Sequence, residues 1–470
     1  MAEPAPPIDA VDPELLDFVV VGGGIAGLAA AYELQARSLQ FRLFERASRP
    51  GGVILTDRVG GFTIDAGPDA LLIQKPAAVQ LCREIGLGDR LQPTRKPRTA
   101  YIMRDGRLHA LPESSVLGIP RDVRAFATTR LFSLPGKMRM AAELFVPAAR
   151  TNGDESIASF IGRRFGREAV TYLAEPLLAG IHAGDVNRLS MRDLFPRFMD
   201  AERQHGSVLR AFRQLRQPAH RSGDGAFYSL PDGLVELVDA LVATLPARAL
   251  RFGVAVDRIT ANGTFVVRTT EGEVRARSVI LTTPAYVAGS LVASLDEELA
   301  ALCKGVEYAS SATIAFAYRR DDIRHSLLGS GFVVPRVENT TIMAASWVSS
   351  KWPGRAPEGH VLLRAFIGGA RDPGAMRLTD EELRARAERE LARILGITGA
   401  PVLTRIYRWE RANAQHEVGH LERMAAIERR LLAWPGLFVT GSGFRGVGIP
   451  DCIADARTTA VSAAAALSSR

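Results

Sequence analysis

Gly22, Gly24 and Gly27 stand at the spacing G-x-G-x-x-G, directly after the apolar run FVVV and directly before a small-residue stretch beginning at Leu28. Glycine suits each place for a different reason. The first permits a tight turn, the second lets backbone approach a pyrophosphate, and the third lets a helix pack close to the preceding strand. The unpaired N–H groups and dipole at that helix N-terminus favour bound phosphate. About twenty residues on, a second short strand, 41–44, ends in Glu45, where a carboxylate meets a ribose hydroxyl. Three glycines alone are weak evidence. Strand, helix, second strand and terminal acid in register predict a βαβ dinucleotide site.

The elements that must position this site are spread along the chain. After Gly51-Gly52 the residues 53–65 alternate about Gly60-Gly61 and read as a hairpin, followed by a turn forced by Gly67-Pro68. YIMRDGRLHAL (101–111) reads as a second hairpin about Asp105-Gly106. From about 113 to 216 the chain turns helical, and Ser190 with Asp193 has the form of a capping box. Strands are expected at 254–260, 265–270 and 273–283, at 313–318 and 361–367, and at 437–440. A capped helix begins at Thr379, and a small-residue helix spans 450–467. The sheet carrying the dinucleotide site is thus left and re-entered. We expect an α/β protein with a disordered tail at 1–16 and a cofactor domain from 17–75, 228–284 and 431–470. Substrate-side segments are expected at 76–112 and 285–430, and a helical insert at 113–227.

Composition narrows the function. The 470 residues are 47% hydrophobic and 23% charged, as in ordinary globular proteins, and the formal net charge of +8 suits an anionic substrate. No basic tract with interleaved aromatics and no zinc-finger spacing points to nucleic acid. Cys82, Cys303 and Cys452 are scattered, which argues against a disulfide framework or thiolate metal site and for a reducing cytoplasm. The first residues lack the pattern of a signal peptide, and no run of eighteen apolar residues would span a membrane. His416-Glu417-Val418-Gly419-His420 matches H-E-x-x-H, the zinc-hydrolase pattern. Gly419 weakens the helix that pattern requires, and no third ligand is evident nearby in sequence, so no metal is expected.

The glycine pair after Glu45, in ERASRPGGVI, resembles the FAD-binding amine oxidase and phytoene desaturase superfamily. Further stretches narrow the resemblance to the oxygen-dependent protoporphyrinogen and coproporphyrinogen oxidases of haem synthesis. They are GFTIDAGPDALL, LFSLPGKMR, EPLLAGIHAGDVNRLSMRDLFPRF, KWPGRAPEGHVLLRAFIGGAR and GVGIPDCI. LFSLPGKMR and the KWPGRAPEGHVLLRA block are most similar to the soluble Gram-positive-type coproporphyrinogen III oxidases. The resemblance covers residue 17 to the C-terminus. It implies a Rossmann-like FAD domain, FAD as cofactor, O₂ as electron acceptor and a porphyrinogen substrate. It also implies transient contact with ferrochelatase, a monomer or homodimer, and a cytoplasmic location. The helical insert corresponds to the membrane-facing domain of mitochondrial relatives, whereas the more similar branch is soluble, so peripheral membrane contact stays open.

Residue by residue, the resemblance implies FAD contacts from Gly22, Gly24, Ile25, Ala26, Gly27, Glu45, Arg46, Gly51 and Gly52, with Val256 at the adenine. Gly67 and Pro68 would lie beside the flavin ring, as would Gly441, Val447, Gly448 and Ile449. Arg98 matches an arginine that pairs with a substrate propionate, and Lys75 a lysine of the Gram-positive branch. Arg98 stands in RKPR, which reads equally as solvated surface. Asp69 reads equally as a turn acid or as an acceptor for a pyrrole N–H. No protein group is nominated as catalytic, because flavin carries the chemistry. Two positions depart from the family pattern: His416, where tyrosine is common, and Arg445, where glutamate is common. The alternative enzyme is a flavin amine oxidase or carotenoid desaturase, but amine pockets are lined by aromatics, and this chain is 7% aromatic. A non-catalytic flavin-binding scaffold is the third reading.

Overall fold

The computed structural model describes residues 15–111, 115–116, 119–120, 123–149, 153–214 and 225–468, so nearly all of the 1–16 tail lies outside the described residues. The first strand, β1 (Leu16–Val21), is buried from end to end but for Asp17. It is followed by α1 (Ile25–Ala36) and β2 (Phe41–Glu45). β1 lies between two parallel neighbours, β2 and the second half of strand Gly272–Leu281. The short strand Leu250–Phe252 continues the sheet beyond β2, and Leu437–Val439 pairs in parallel with Val279–Leu281. Strands Thr264–Thr269 and Val256–Asn262 close the other edge antiparallel. Three remote segments therefore build one seven-stranded sheet.

Burial on both faces explains the unbroken apolar runs in β1 and 278–281, since helices cover a parallel sheet on either side. On one face α1 packs against the last helix, Ile449–Ser468, through Ala29, Ala30, Ala456, Ala460 and Ala463, all fully buried. Side chains this small let two helix backbones approach closely beneath the site.

A second seven-stranded, mainly antiparallel sheet runs in the order 403–415, 307–319, 360–368, 344–347, 331–333, 100–104, 107–110. Its edge hairpin turns at Asp105 and Gly106, both at positive φ, as the DG signal predicts. Helix Asp380–Leu395 lies against this sheet through Leu383, Ala387, Leu391 and Leu395. Its capping box is complete, with Thr379 and Glu382 bonding each other's backbone N–H.

Between residues 123 and 214 the described chain is helical and has its own core, which includes Phe160, Phe165, Phe198 and Phe212. At its centre the fully buried Arg164 guanidinium pairs with Glu143 and, at 3.2 Å, with Glu202. Glu143 also accepts from Ser207 Oγ at 2.5 Å and Val208 N at 2.9 Å, so the buried charge is satisfied on all sides.

The Ser190–Asp193 capping box forms only in half. Ser190 Oγ accepts from Asp193 N at 2.9 Å, but the Ser190 N–H goes to His416 O, and the Asp193 carboxylate turns to the His416 ring. A tertiary partner has taken over the local cap. Among the described residues no helix is long and apolar enough to cross a membrane.

Candidate functional site

The glycine turn is fixed by strand hydrogen bonds and by the lack of room for side chains. Gly22 N donates to Phe44 O at 2.8 Å, and Gly51 N to Gly23 O at 2.8 Å, while Gly24 bridges Gly51 in parallel. A Cβ on Gly27 would sit 1.9 Å from Gly22 O, so α1 is pressed against the turn where the motif predicts. Gly24 is different. A Cβ there would meet no atom of the described residues within 4 Å, and the residue is extended at φ −71° and ψ 179°. The space beside it is therefore left by the protein, and the N-terminus of α1 carries no side-chain cap. Ile25 and Ala26 form the first turn, and Gly52 comes within 3.4 Å of Gly24 Cα, counted from an added Cβ.

Glu45 closes the other end. Its carboxylate accepts from Gly23 N at 2.7 Å and Ala47 N at 2.8 Å, which leaves two of its four lone-pair directions for sugar hydroxyls. Val254 N donates to Glu45 O at 3.0 Å, so the chain leading into Val256 passes beside the acid, while Arg46 is exposed at the rim. These residues fit a bound dinucleotide: an uncapped helix N-terminus, an open backbone cradle and a carboxylate at its end.

Residues 65–69 form the next wall. A Cβ on Gly67 would lie 2.1 Å from Val53 O, so this turn presses on the loop after Gly52. Trp409 Nε1 donates to Ala66 O at 3.2 Å, and Arg364 Nη1 bonds both Asp65 O and Gly67 O. Pro68 is half-buried beside them.

Asp69 is nearly buried, which by itself would raise its pKa. The Lys351 and Arg364 charges and the Trp352 N–H win, and hold it well below the usual carboxylate range. Lys351 Nζ lies 3.0 Å and Trp352 Nε1 3.1 Å from Asp69 Oδ2. Asp65 is raised instead, by burial, although Arg355 Nη2 stands 3.1 Å from Oδ2. Lys351, Trp352, Arg364 and Trp409 were not singled out from sequence. Arg364 had a readable signal, a lone cation inside the apolar run HVLLRAFIG.

Gly441, Val447, Gly448 and Ile449 lie in the turn that heads the last helix. A Cβ on Gly441 would touch Ala26 Cβ at 3.6 Å and Thr282 O at 3.5 Å, which sets this turn against the cradle. Lys75 reaches the same segment from 376 residues away, Nζ donating at 2.7 Å to Asp451 Oδ2, which in turn accepts from Gly448 N. Arg98 stands apart, its Nε donating to Thr94 O at 2.9 Å beside Gly225. Arg445 bonds Glu428 at 2.8 Å and lies 3.4 Å from Asp455, so the charge it adds is matched by two carboxylates.

The H-E-x-x-H stretch does not lie on one helix. Gly419 is the N-cap at φ +93°, the helix begins only at His420, and Glu417 turns outward to Arg188 at 2.8 Å. The structure does bring a third candidate ligand, Asp193, beside both histidines. The two rings are stacked at 3.9 Å and 15°, so their in-plane lone pairs do not converge, and both His416 nitrogens already face protein oxygens. This geometry does not fit zinc hydrolysis.

Comparison with known proteins identifies the family. Residues 25–464 match the family of flavin containing amine oxidoreductases. The coproporphyrinogen III oxidase of Bacillus subtilis (strain 168) is 35% identical over 451 residues, 93% of this chain and 95% of that protein. The enzyme of the same name from Staphylococcus aureus (strain NCTC 8325 / PS 47) is 32% identical, covering 94% and 97%. A crystal structure from Exiguobacterium sp. 255-15, provisionally designated a protoporphyrinogen oxidase, superposes with TM-score 0.85 at 32% identity, covering 96% and 99%. FAD is accordingly the cofactor. The chain belongs to the flavin-containing amine oxidoreductases and, within them, to the coproporphyrinogen III oxidase family.

Proposed function

We propose that this protein is an FAD- and O₂-dependent oxidase of haem biosynthesis that converts a porphyrinogen to the porphyrin, coproporphyrinogen III to coproporphyrin III, with protoporphyrinogen IX as a second substrate. The observation that carries this reading is the near end-to-end similarity, at 35% identity, to a coproporphyrinogen III oxidase, over a chain whose cradle fits the flavin dinucleotide. Aromatisation removes six electrons in three two-electron steps, and three O₂ leave as hydrogen peroxide. The flavin supplies hydride acceptance and the return of electrons to O₂.

The protein's own part is to bind and orient. Gly22, Gly24 and Gly27 receive the pyrophosphate, and Glu45 the ribose. Arg364 and Trp409 fix the Asp65–Asp69 wall through its carbonyls, and Asp69 stays ionised and committed to Lys351 and Trp352. That commitment supports the turn-acid role for Asp69 over contact with a pyrrole. Arg98 and Lys75 are the proposed anchors for propionates, since a guanidinium fork grips a carboxylate with two bonds. The net charge of +8 favours such a substrate.

The test is aerobic turnover of coproporphyrinogen III and protoporphyrinogen IX side by side, read by porphyrin fluorescence and peroxide. We expect turnover with a preference for the four-propionate substrate. Failure of flavin-loaded protein on both would overturn the assignment.

Peripheral membrane contact has support from one surface. Leu134 and Met138, about one turn apart on helix Leu134–Ala141, are 71% and 67% exposed, and Phe145, which ends the 3-10 turn that follows, is 86% exposed. We expect the protein to co-sediment with anionic phospholipid vesicles and Leu134→Glu/Met138→Glu to stay in the supernatant. Equal sedimentation of the two would sink this contact.

A further inference from the structure

His416 is fully buried, and both of its ring nitrogens face an acceptor: Nδ1 stands 2.6 Å from Asp193 Oδ2, and Nε2 stands 2.8 Å from Ser442 O. A neutral imidazole carries one N–H and satisfies one acceptor only; the imidazolium carries two and satisfies both. The acceptors belong to different parts of the molecule. Asp193 comes from the helical segment, 223 residues away in sequence. Ser442 lies in the 441–445 turn, whose Gly441 rests on Ala26 in the first turn of the cofactor helix. His420, stacked on His416, donates from Nε2 to Phe444 O at 2.9 Å, so the two rings hold alternate carbonyls of the same turn.

We propose that His416 is a positioning residue whose two ring nitrogens latch the 441–445 turn to the helical segment and so shape the flavin end of the FAD site. Removing the ring opens both links, and removing the Asp193 charge weakens one of them.

Asp193 is held below the usual carboxylate range despite burial, chiefly by its bond to His416, and remains ionised. Burial pushes the His182 and His420 imidazoles down to about 4, so both are neutral above mildly acidic pH. Lys75 and Arg423 add positive charge farther off, and Glu417 is paired with Arg188. The latch acts on the cofactor and is independent of which porphyrinogen is oxidised.

The experiment is FAD titration of apoprotein by flavin fluorescence for the wild type, His416→Phe, His416→Gln and Asp193→Asn, with thermal melts of each apoprotein. His416→Phe keeps the ring stack but neither nitrogen, and should bind FAD about tenfold more weakly than wild type, the worth of one hydrogen bond to a charged group. His416→Gln restores one donor and should recover part of that loss. Asp193→Asn keeps an acceptor but loses the charge, and should weaken FAD binding less than His416→Phe does. Wild-type affinity in a folded His416→Phe would overturn the proposal. If His416→Phe does not fold, wild-type affinity in Asp193→Asn would overturn it.

Discussion

Gly24→Val leaves the apoprotein folded and removes FAD binding. The two halves of this result come from one geometric fact. Gly24 precedes α1 in extended backbone that valine adopts readily, and its added Cβ has no neighbour among the described residues within 4 Å. Nothing in the folded chain resists the substitution. The room beside Gly24 is the place where backbone N–H groups at an uncapped helix N-terminus await phosphate, and an isopropyl group fills it. We expect the apoprotein to melt within a degree or two of wild type, and FAD affinity to fall by about a hundredfold or more, near 3 kcal/mol.

Gly27→Ala is the informative contrast. Its Cβ would stand 1.9 Å from Gly22 O, inside the protein itself, so this variant should lose stability as well as cofactor. Flavin fluorescence titration with apoprotein melting curves measures both. If Gly24→Val bound FAD like wild type, the pyrophosphate would not approach this turn, and the dinucleotide reading of the motif would fail.

The contrast between the two glycines also shows what a sequence can reveal. The demands of the βαβ unit are local: a turn, a close backbone approach and a carboxylate at a strand end all fall within about thirty residues. The spacing of Gly22, Gly24, Gly27 and Glu45 was therefore enough to place them. The Asp105-Gly106 hairpin and the Thr379–Glu382 cap were legible for the same reason.

Long-range contacts were not legible. Asp193 has the sequence form of a capping residue, and nothing within several positions reveals that its carboxylate is drawn off by a histidine 223 residues away. Lys75 meets Asp451, and Asp69 meets Lys351, only because the chain leaves the first sheet, builds a second and returns. Arg445 illustrates the converse. Read from sequence, a cation beside the glycine-rich turn suggests a change of specificity, yet Glu428 and Asp455 absorb it. Charge read from sequence says what a residue carries, and folding decides whether a substrate can feel it.

Acid should unfold this protein far more steeply than its carboxylates alone require. His182 and His420 are buried, and loss of hydration, with the positive charge of His416 as the next cause, pushes both down to about 4 from an ordinary 6.5. In the unfolded chain both take protons near 6.5, so between that value and about 4 the unfolded state binds more protons than the folded one. Stability therefore rises with pH across this window. It is fully present above 6.5 and is lost as pH falls toward 4. Each imidazole contributes on the order of 3 kcal/mol, and two such contributions rival the whole stability of an ordinary domain.

Urea unfolding of the protein at neutral pH and at mildly acidic pH should show the midpoint fall sharply. His182→Phe separates this from general acid effects. The His182 Nδ1 atom is buried and has no hydrogen-bond partner among the described residues, so an aromatic ring of similar breadth removes no bond at that atom while removing one titrating group. The variant should match or exceed wild type at neutral pH and lose distinctly less stability on acidification. A pH dependence identical to that of wild type would show that His182 is already protonated in the folded protein, and that acid sensitivity comes from elsewhere than this histidine cluster.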